Sequence, residues 1–188
     1  MSERPPDPIV LRDRRDPVVV VPYDPAWPAT FELLRERIAN ALGDRAVGIE
    51  HVGSTAVPGL AAKPIVDIDI VIRHEADFHE VQALLANLGY VYLGELGIAA
   101  RHAFRATPDS PRHHLYVCAA GSAPLRAHLT LRDALRADAA LAATYGALKF
   151  DLAKRFRLDM DAYVEGKTAF ITQALLAARK TKRRARRS

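Results

Sequence analysis

At 188 residues, with 49% hydrophobic and 26% charged residues, the chain has the composition of a single globular domain with a full core. No apolar run reaches the length of a membrane span, the single Cys118 excludes an internal disulfide framework, and the N-terminus lacks the apolar core of a signal peptide. A cytoplasmic protein with no membrane partner is therefore expected. The net charge of +5 is concentrated at one end: residues 179–188 hold seven Lys/Arg and no acid, leaving 20 basic against 22 acidic residues elsewhere. The body is then no basic nucleic-acid surface, and only the tail could attract such a partner.

Residues 1–16, rich in Pro, Asp and Arg without periodicity, read as a flexible arm. Pro17 to Val21 is a short apolar run that forms an edge strand or packs on the body. Asp24 and Pro25 open a helix whose Phe31, Leu34, Ile38 and Leu42 recur at helical spacing until Gly43 stops it. Ala46 to Val52 is a strand with Val47, Ile49 and His51 on one face, delivering the chain to a Gly53-Ser54-Thr55 turn. Ile65 to Ile72, almost wholly β-branched, is a buried strand. An amphipathic helix over Glu75 to Leu88, strands over Tyr90 to Leu93 and Arg101 to Ala106, and a strand over His113 to Ala119 follow. From Ser122 onward the spacing is helical, with starts at Ser122, Asp138 and near Asp159. These elements predict an α+β fold: one domain over 17–178, with a mixed sheet over about 18–120 and helices over about 122–178. A disordered basic tail is expected over 179–188.

The chemistry concentrates between His51 and Ile72. Side chains alternate across a strand, so Asp67 and Asp69 share the face opposite Val66, Ile68, Ile70 and Ile72. Two carboxylates on one face of an apolar strand repel each other and cost desolvation unless a cation sits between them, and oxygen ligands suit Mg²⁺ or Mn²⁺. Gly53 permits close backbone approach, and the amides and hydroxyls of Ser54 and Thr55 can cradle a phosphate. Twelve residues separate Ser54 from Asp67, enough for a loop that brings the turn beside the carboxylates. His114 shares a face with Tyr116 and Cys118; it is a ligand, a proton carrier or a hydrogen-bonded structural histidine. Lys63 and Arg105 are candidate phosphate cations, and Lys149 stands one helical turn after Tyr145, as Lys167 does after Tyr163. These pairs line a nucleotide pocket or pack in the core with their amines reaching out.

The Gly-Ser turn and Asp-x-Asp strand resemble those of the nucleotidyltransferase superfamily. EHVGSTAVPGLAAKPIVDIDI over 50–70, with YDPAWP at 23–28 and HHLYV at 113–117, is more closely similar to the GrpB family, a resemblance that runs from about Val18 to Leu176. It implies a nucleotidyltransferase-like fold, and some members of that family are fused to dephospho-CoA kinase. Two departures stand out. Nucleotidyltransferases usually carry a third carboxylate on a strand near His114, where this chain has none, and the GrpB pattern tends to a second histidine where Tyr116 stands. The expected function is metal-dependent transfer of a nucleotidyl group from a nucleoside triphosphate to a small-molecule or protein acceptor, with metal on Asp67 and Asp69. The competing expectation is a non-catalytic module that binds a nucleotide or coenzyme A precursor beside a kinase of that type.

Overall fold

The computed structural model describes residues 17–185. Helix α1 (Trp27–Leu42) precedes strands β1 (Ala46–Val52) and β2 (Val66–Ile72). Helix α2 (Phe78–Asn87) leads to β3 (Val91–Gly94), β4 (His102–Arg105) and β5 (His113–Ala119), and three helices close the chain: α3 (Ala123–Ala137), α4 (Ala139–Arg155) and α5 (Met160–Ala185). Among the described residues five strands form one sheet in the order β1-β2-β5-β4-β3. Only β2 and β5 run parallel; the other neighbouring pairs are antiparallel. This is the expected α+β mixed sheet.

The sheet is the middle of three layers. On its back, Ile68, Ile70 and Ile72 of β2, Leu115 and Val117 of β5 and Phe104 of β4 pack against Leu34, Ile38 and Leu42 of α1 and Val81 and Leu85 of α2. Burying these apolar side chains supplies most of the folding drive, at roughly 25 cal/mol per Å² removed from water. On its front, Val71 and Cys118 meet Leu125 and Leu129 of α3. The remaining helices join the same side, where Leu135, Ala142 and Tyr145 pack on Val57 and Leu60 of the loop before β2.

Several boundaries differ from the sequence expectation. Helix α1 starts at Trp27, because Asp24 instead accepts the Ala26 amide at 2.8 Å and closes a turn ahead of it. The first turn of the Glu75 to Leu88 segment is a 3₁₀ turn, with α2 proper beginning at Phe78. In β1 the register slips between Ala46 and Gly48, so Val47 turns outward and is 48% exposed instead of sharing the buried face of His51. Pro17 to Val21 joins no sheet. Val18 packs on Leu152 and Tyr163, and Val21 makes a lone bridge to Ala62. The basic segment from Arg179, expected as disordered, continues α5 to Ala185, since Ala, Lys and Arg readily propagate a helix already nucleated. The arm over 1–16 and residues 186–188 of the tail lie outside the described residues. Among those described, no helix is long and apolar enough to cross a membrane.

Candidate active site

Alternation along β2 brings Asp67 and Asp69 to the front of the sheet, and the parallel register sets His114 beside Asp67 and Tyr116 beside Asp69. Nδ1 of His114 lies 2.8 Å from Oδ1 of Asp67. A second histidine completes a matching pair: His128 of α3 places Nδ1 2.7 Å from Oδ2 of Asp69. The carboxylates sit in unlike surroundings. Asp69 is wholly buried and its Oδ1 has no hydrogen-bond partner, whereas the Asp67 side chain remains 28% exposed. Burial raises the Asp69 carboxyl above its ordinary value, against the pull of His128. Burial works the same way on Asp67, but the His114 hydrogen bond and the charges of His114, His128 and Lys63 outweigh it and hold Asp67 low.

The Gly53 turn closes on the other side of Asp67. Gly53 has φ +69°, and a Cβ there would collide with Oδ2 of Asp67 and stand 2.8 Å from its Cγ. Only glycine therefore lets the backbone meet the carboxylate. Ser54 follows, its hydroxyl accepting a hydrogen bond from Lys149 of α4 at 2.8 Å; the same ammonium donates to the Ala61 carbonyl. Lys149 is 2% exposed and lies over the Tyr145 ring at 4.5 Å, and Lys167 of α5 lies over Tyr163 at 4.4 Å. Burial pushes Lys149 down to about 7, with Lys167 adding to the effect, and pushes Lys167 to about 8, with Lys63 adding. Lys63 reaches the Met160 sulfur at 3.6 Å.

Gly53, Ser54, Lys63, Asp67, Asp69, His114 and Lys149 thus gather around one end of β2. Thr55 does not join them with its side chain, which is buried and bonded to His51 at 3.0 Å. Burial drives His51 down to about 4, so it is neutral and braces the turn from the back, stacked on Phe31 at 4.6 Å. Arg105 lies instead beyond His114, in the wall of a groove at the β3–β4 edge. Three participants were not singled out from the sequence in these roles. His128 stands three residues after the buried Leu125, a spacing that could have placed it on the sheet-facing side of its helix. Arg101 stacks on Tyr116 at 4.6 Å. Glu50, the neighbour of Asp69 on β1, is the nearest thing to a third carboxylate on this face, but Arg132 binds it at 2.7 Å.

The donor set can be tested against a divalent metal. Among the described residues no three His, Cys, Asp or Glu side chains converge as a complete site. Each of Asp67 and Asp69 commits one oxygen to a histidine, and the buried, unpartnered Oδ1 of Asp69 asks for a cation. One or two carboxylates completed by substrate phosphates and water is how Mg²⁺ is usually held. The residues fit a metal that arrives with a phosphate ligand.

The GrpB protein family profile matches residues 17–176. A UPF0157 protein of Halalkalibacterium halodurans is 32% identical, over 91% of this chain and 87% of its own length. A dephospho-CoA kinase of Mycolicibacterium paratuberculosis is 31% identical over 85% of this chain, which matches 46% of that protein. The chain likewise spans about half the length of the Bacillus subtilis UPF0157 protein YqkA (48%). Among solved structures, conserved protein GrpB from Enterococcus faecalis superposes with a TM-score of 0.79 at 34% identity, covering 87% of this chain and 99% of that one. Cid1 in complex with its short product ApU superposes with a TM-score of 0.52 at 13% identity, covering 77% of this chain and 48% of Cid1. The likeness to Cid1 is one of fold, and that fold is nucleotidyltransferase-like.

Proposed function

This chain belongs to the GrpB family, and from that premise we propose that it transfers a nucleotidyl group from a nucleoside triphosphate to a small-molecule or protein acceptor. The observation that carries the reading is the meeting of Ser54 and Lys149 over the Gly53 turn, directly against Asp67. A polyanion there gains the turn amides, the Ser54 hydroxyl and the ammonium groups of Lys149, Lys167 and Lys63. Asp67 and Asp69 would hold Mg²⁺ or Mn²⁺, which when bound supplies charge neutralisation at the phosphates.

The chain's own groups then divide the work. Lys149 releases Ser54 and the Ala61 carbonyl to take phosphate oxygens, becoming fully protonated as it does so. Tyr145, stacked on Phe170 at 4.7 Å, keeps that ammonium in place. The acceptor hydroxyl oxygen bonds to the α-phosphorus as the bond to the bridging oxygen breaks, and pyrophosphate leaves with the electron pair. The hydroxyl proton passes to His114, whose positive ring the Asp67 carboxylate stabilises. With no carboxylate on the strand that carries His114, this His–Asp pair takes over the task of activating the hydroxyl.

A second reading rests on the dephospho-CoA kinase relative: a module that binds a nucleotide or coenzyme A precursor and leaves it unchanged. Calorimetric titration of ATP, GTP, CTP and UTP with and without Mg²⁺, tracking pyrophosphate in the same samples, separates the two. Metal-dependent binding with pyrophosphate release that disappears in Asp67→Asn/Asp69→Asn is the expected result. Wild-type protein that binds a nucleotide and releases no pyrophosphate, with binding unchanged in the double mutant, would overturn transfer and favour the module.

A further inference from the structure

The geometry points to a separate subsite for the acceptor, and to an acceptor that is a small hydroxy compound carrying an anionic group, a carboxylate or a phosphate. The inference rests on the transfer reading and deepens it. A groove of about 730 Å³ opens at the end of the sheet where β4 ends and β5 begins, lined by Phe104, Arg105, Thr107, Ser110, Arg112 and His114 among others. That volume suits a small molecule.

His114 is the wall shared by the groove and the carboxylates. Asp67 fixes the order of the parts: one oxygen faces the Gly53 turn, the other bonds to His114. The sequence across the site is therefore phosphate turn, Asp67, His114, groove. A donor held at Ser54 and Lys149 and an acceptor held in the groove approach the same carboxylate from opposite sides. In that arrangement the acceptor hydroxyl forms the new bond to the α-phosphorus, pyrophosphate departs with the electrons of the broken bond, and the proton leaves on the His114 side.

The lining identifies the chemistry. Two guanidinium groups, Arg105 and Arg112, stand in the wall. Arginine binds carboxylate and phosphate through paired donors. The Ser110 hydroxyl is buried at its oxygen without a partner, which leaves a polar group for a ligand to satisfy. Phe104 and Ile65 supply an apolar wall.

The groove is also built in advance. Gly89 has φ +87°, and a Cβ there would stand 2.6 Å from Cγ2 of Thr107, so the absent side chain lets the turn close down. The far end of that turn is tied by His113, whose Nδ1–H donates to the Pro111 carbonyl at 2.6 Å while Nε2 accepts from the Tyr90 hydroxyl at 2.8 Å.

The test uses the full chain, isotopically labelled, and three probes of one carbon skeleton: glycerol, glycerate and glycerol 3-phosphate. Amide resonances of Thr107, Ser110 and Arg112 should shift with one or both anions and not with glycerol. Whichever anion acts names the source. Arg105→Gln and Arg112→Gln should each weaken the effect by about tenfold or more, with resonances elsewhere unmoved as the check on folding. Anions that leave the groove resonances unshifted, or shifts that survive both substitutions, would overturn the subsite. Nucleotide titration of the wild-type samples is read separately. Groove shifts without nucleotide binding would sink the transfer reading alone, and nucleotide binding without groove shifts would sink only this inference.

Discussion

Strand β2 shows two faces made from alternate residues of one sequence. Behind it, Val66, Ile68, Ile70 and Ile72 are buried among apolar side chains of α1, α2 and β5. In front, Asp67 and Asp69 each hold a histidine of their own, and one carboxylate oxygen is buried with nothing to bond. The back face is locally and globally consistent, each residue choice agreeing with the fold. The front face is costly: a charge out of water, a lysine 2% exposed, and a glycine that no other residue could replace without striking Asp67. Stability is generated behind the sheet and drawn upon in front of it.

That contrast can be broken with two substitutions at adjacent positions. Ile70→Ala should lose about 2–5 kcal/mol of unfolding free energy in urea, from transfer and cavity terms together. Asp69→Asn, at a position just as buried, should change stability by about 1 kcal/mol or less, or raise it, because it removes a buried charge and keeps an acceptor for His128. A loss at Asp69 as large as that at Ile70 would mean the front face is structural after all.

A smaller effect sharpens the electrostatics. Lys149 is held near pH 7 by burial and by Lys167, with the Asp67 charge opposing, so at pH 8 much of it is neutral in the unliganded protein. A triphosphate favours the charged form, so binding at pH 8 should take up protons and affinity should fall as pH rises above about 7. Lys149→Met should weaken nucleotide binding by about tenfold or more and shrink that pH slope, leaving the part due to Lys167. Calorimetry in buffers of different ionisation enthalpy measures both. The sign on stability is the opposite one. With its folded pKa below the unfolded value, Lys149 penalises folding fully at lower pH, and the penalty is relieved as pH rises from about 7 through the ordinary lysine range.

The division between faces was largely legible in the sequence, because strand alternation is a local period. It placed Asp67 and Asp69 together and His114 on one face with Tyr116, and β1 and β5 fall where the residues said. What depends on tertiary packing or on an irregular backbone register was not legible. His128 meets Asp69 across 59 positions, and nothing local in α3 announces that partner. Thr55 looks like a phosphate ligand until His51, brought opposite by β1, takes its hydroxyl. Val47 breaks the alternation because one slipped residue in β1 inverts the face it shows. Arg105 sits one strand beyond β5, and only the order β5-β4 reveals that it lines the groove, away from the Gly53 turn.

A last, modest effect falls where the two faces meet. Tyr90 and His113 are polar residues in the back layer, 6% and 7% exposed, joined at 2.8 Å. Burial keeps both neutral, raising Tyr90 to about 12 and lowering His113, so the Tyr90 hydroxyl donates and Nε2 accepts. Tyr90→Phe keeps the ring and its packing but strands Nε2 in an apolar setting, which should cost about 1 kcal/mol in urea unfolding. The same change removes one of the two tethers that fix His113 under the Pro111 turn, so hydrogen exchange should quicken at Ser110 and Arg112 before it does in β2. A loss confined to global stability, with exchange in that turn unchanged, would show that the back layer is held by apolar packing alone and that the groove owes its shape to Gly89 and the turn itself.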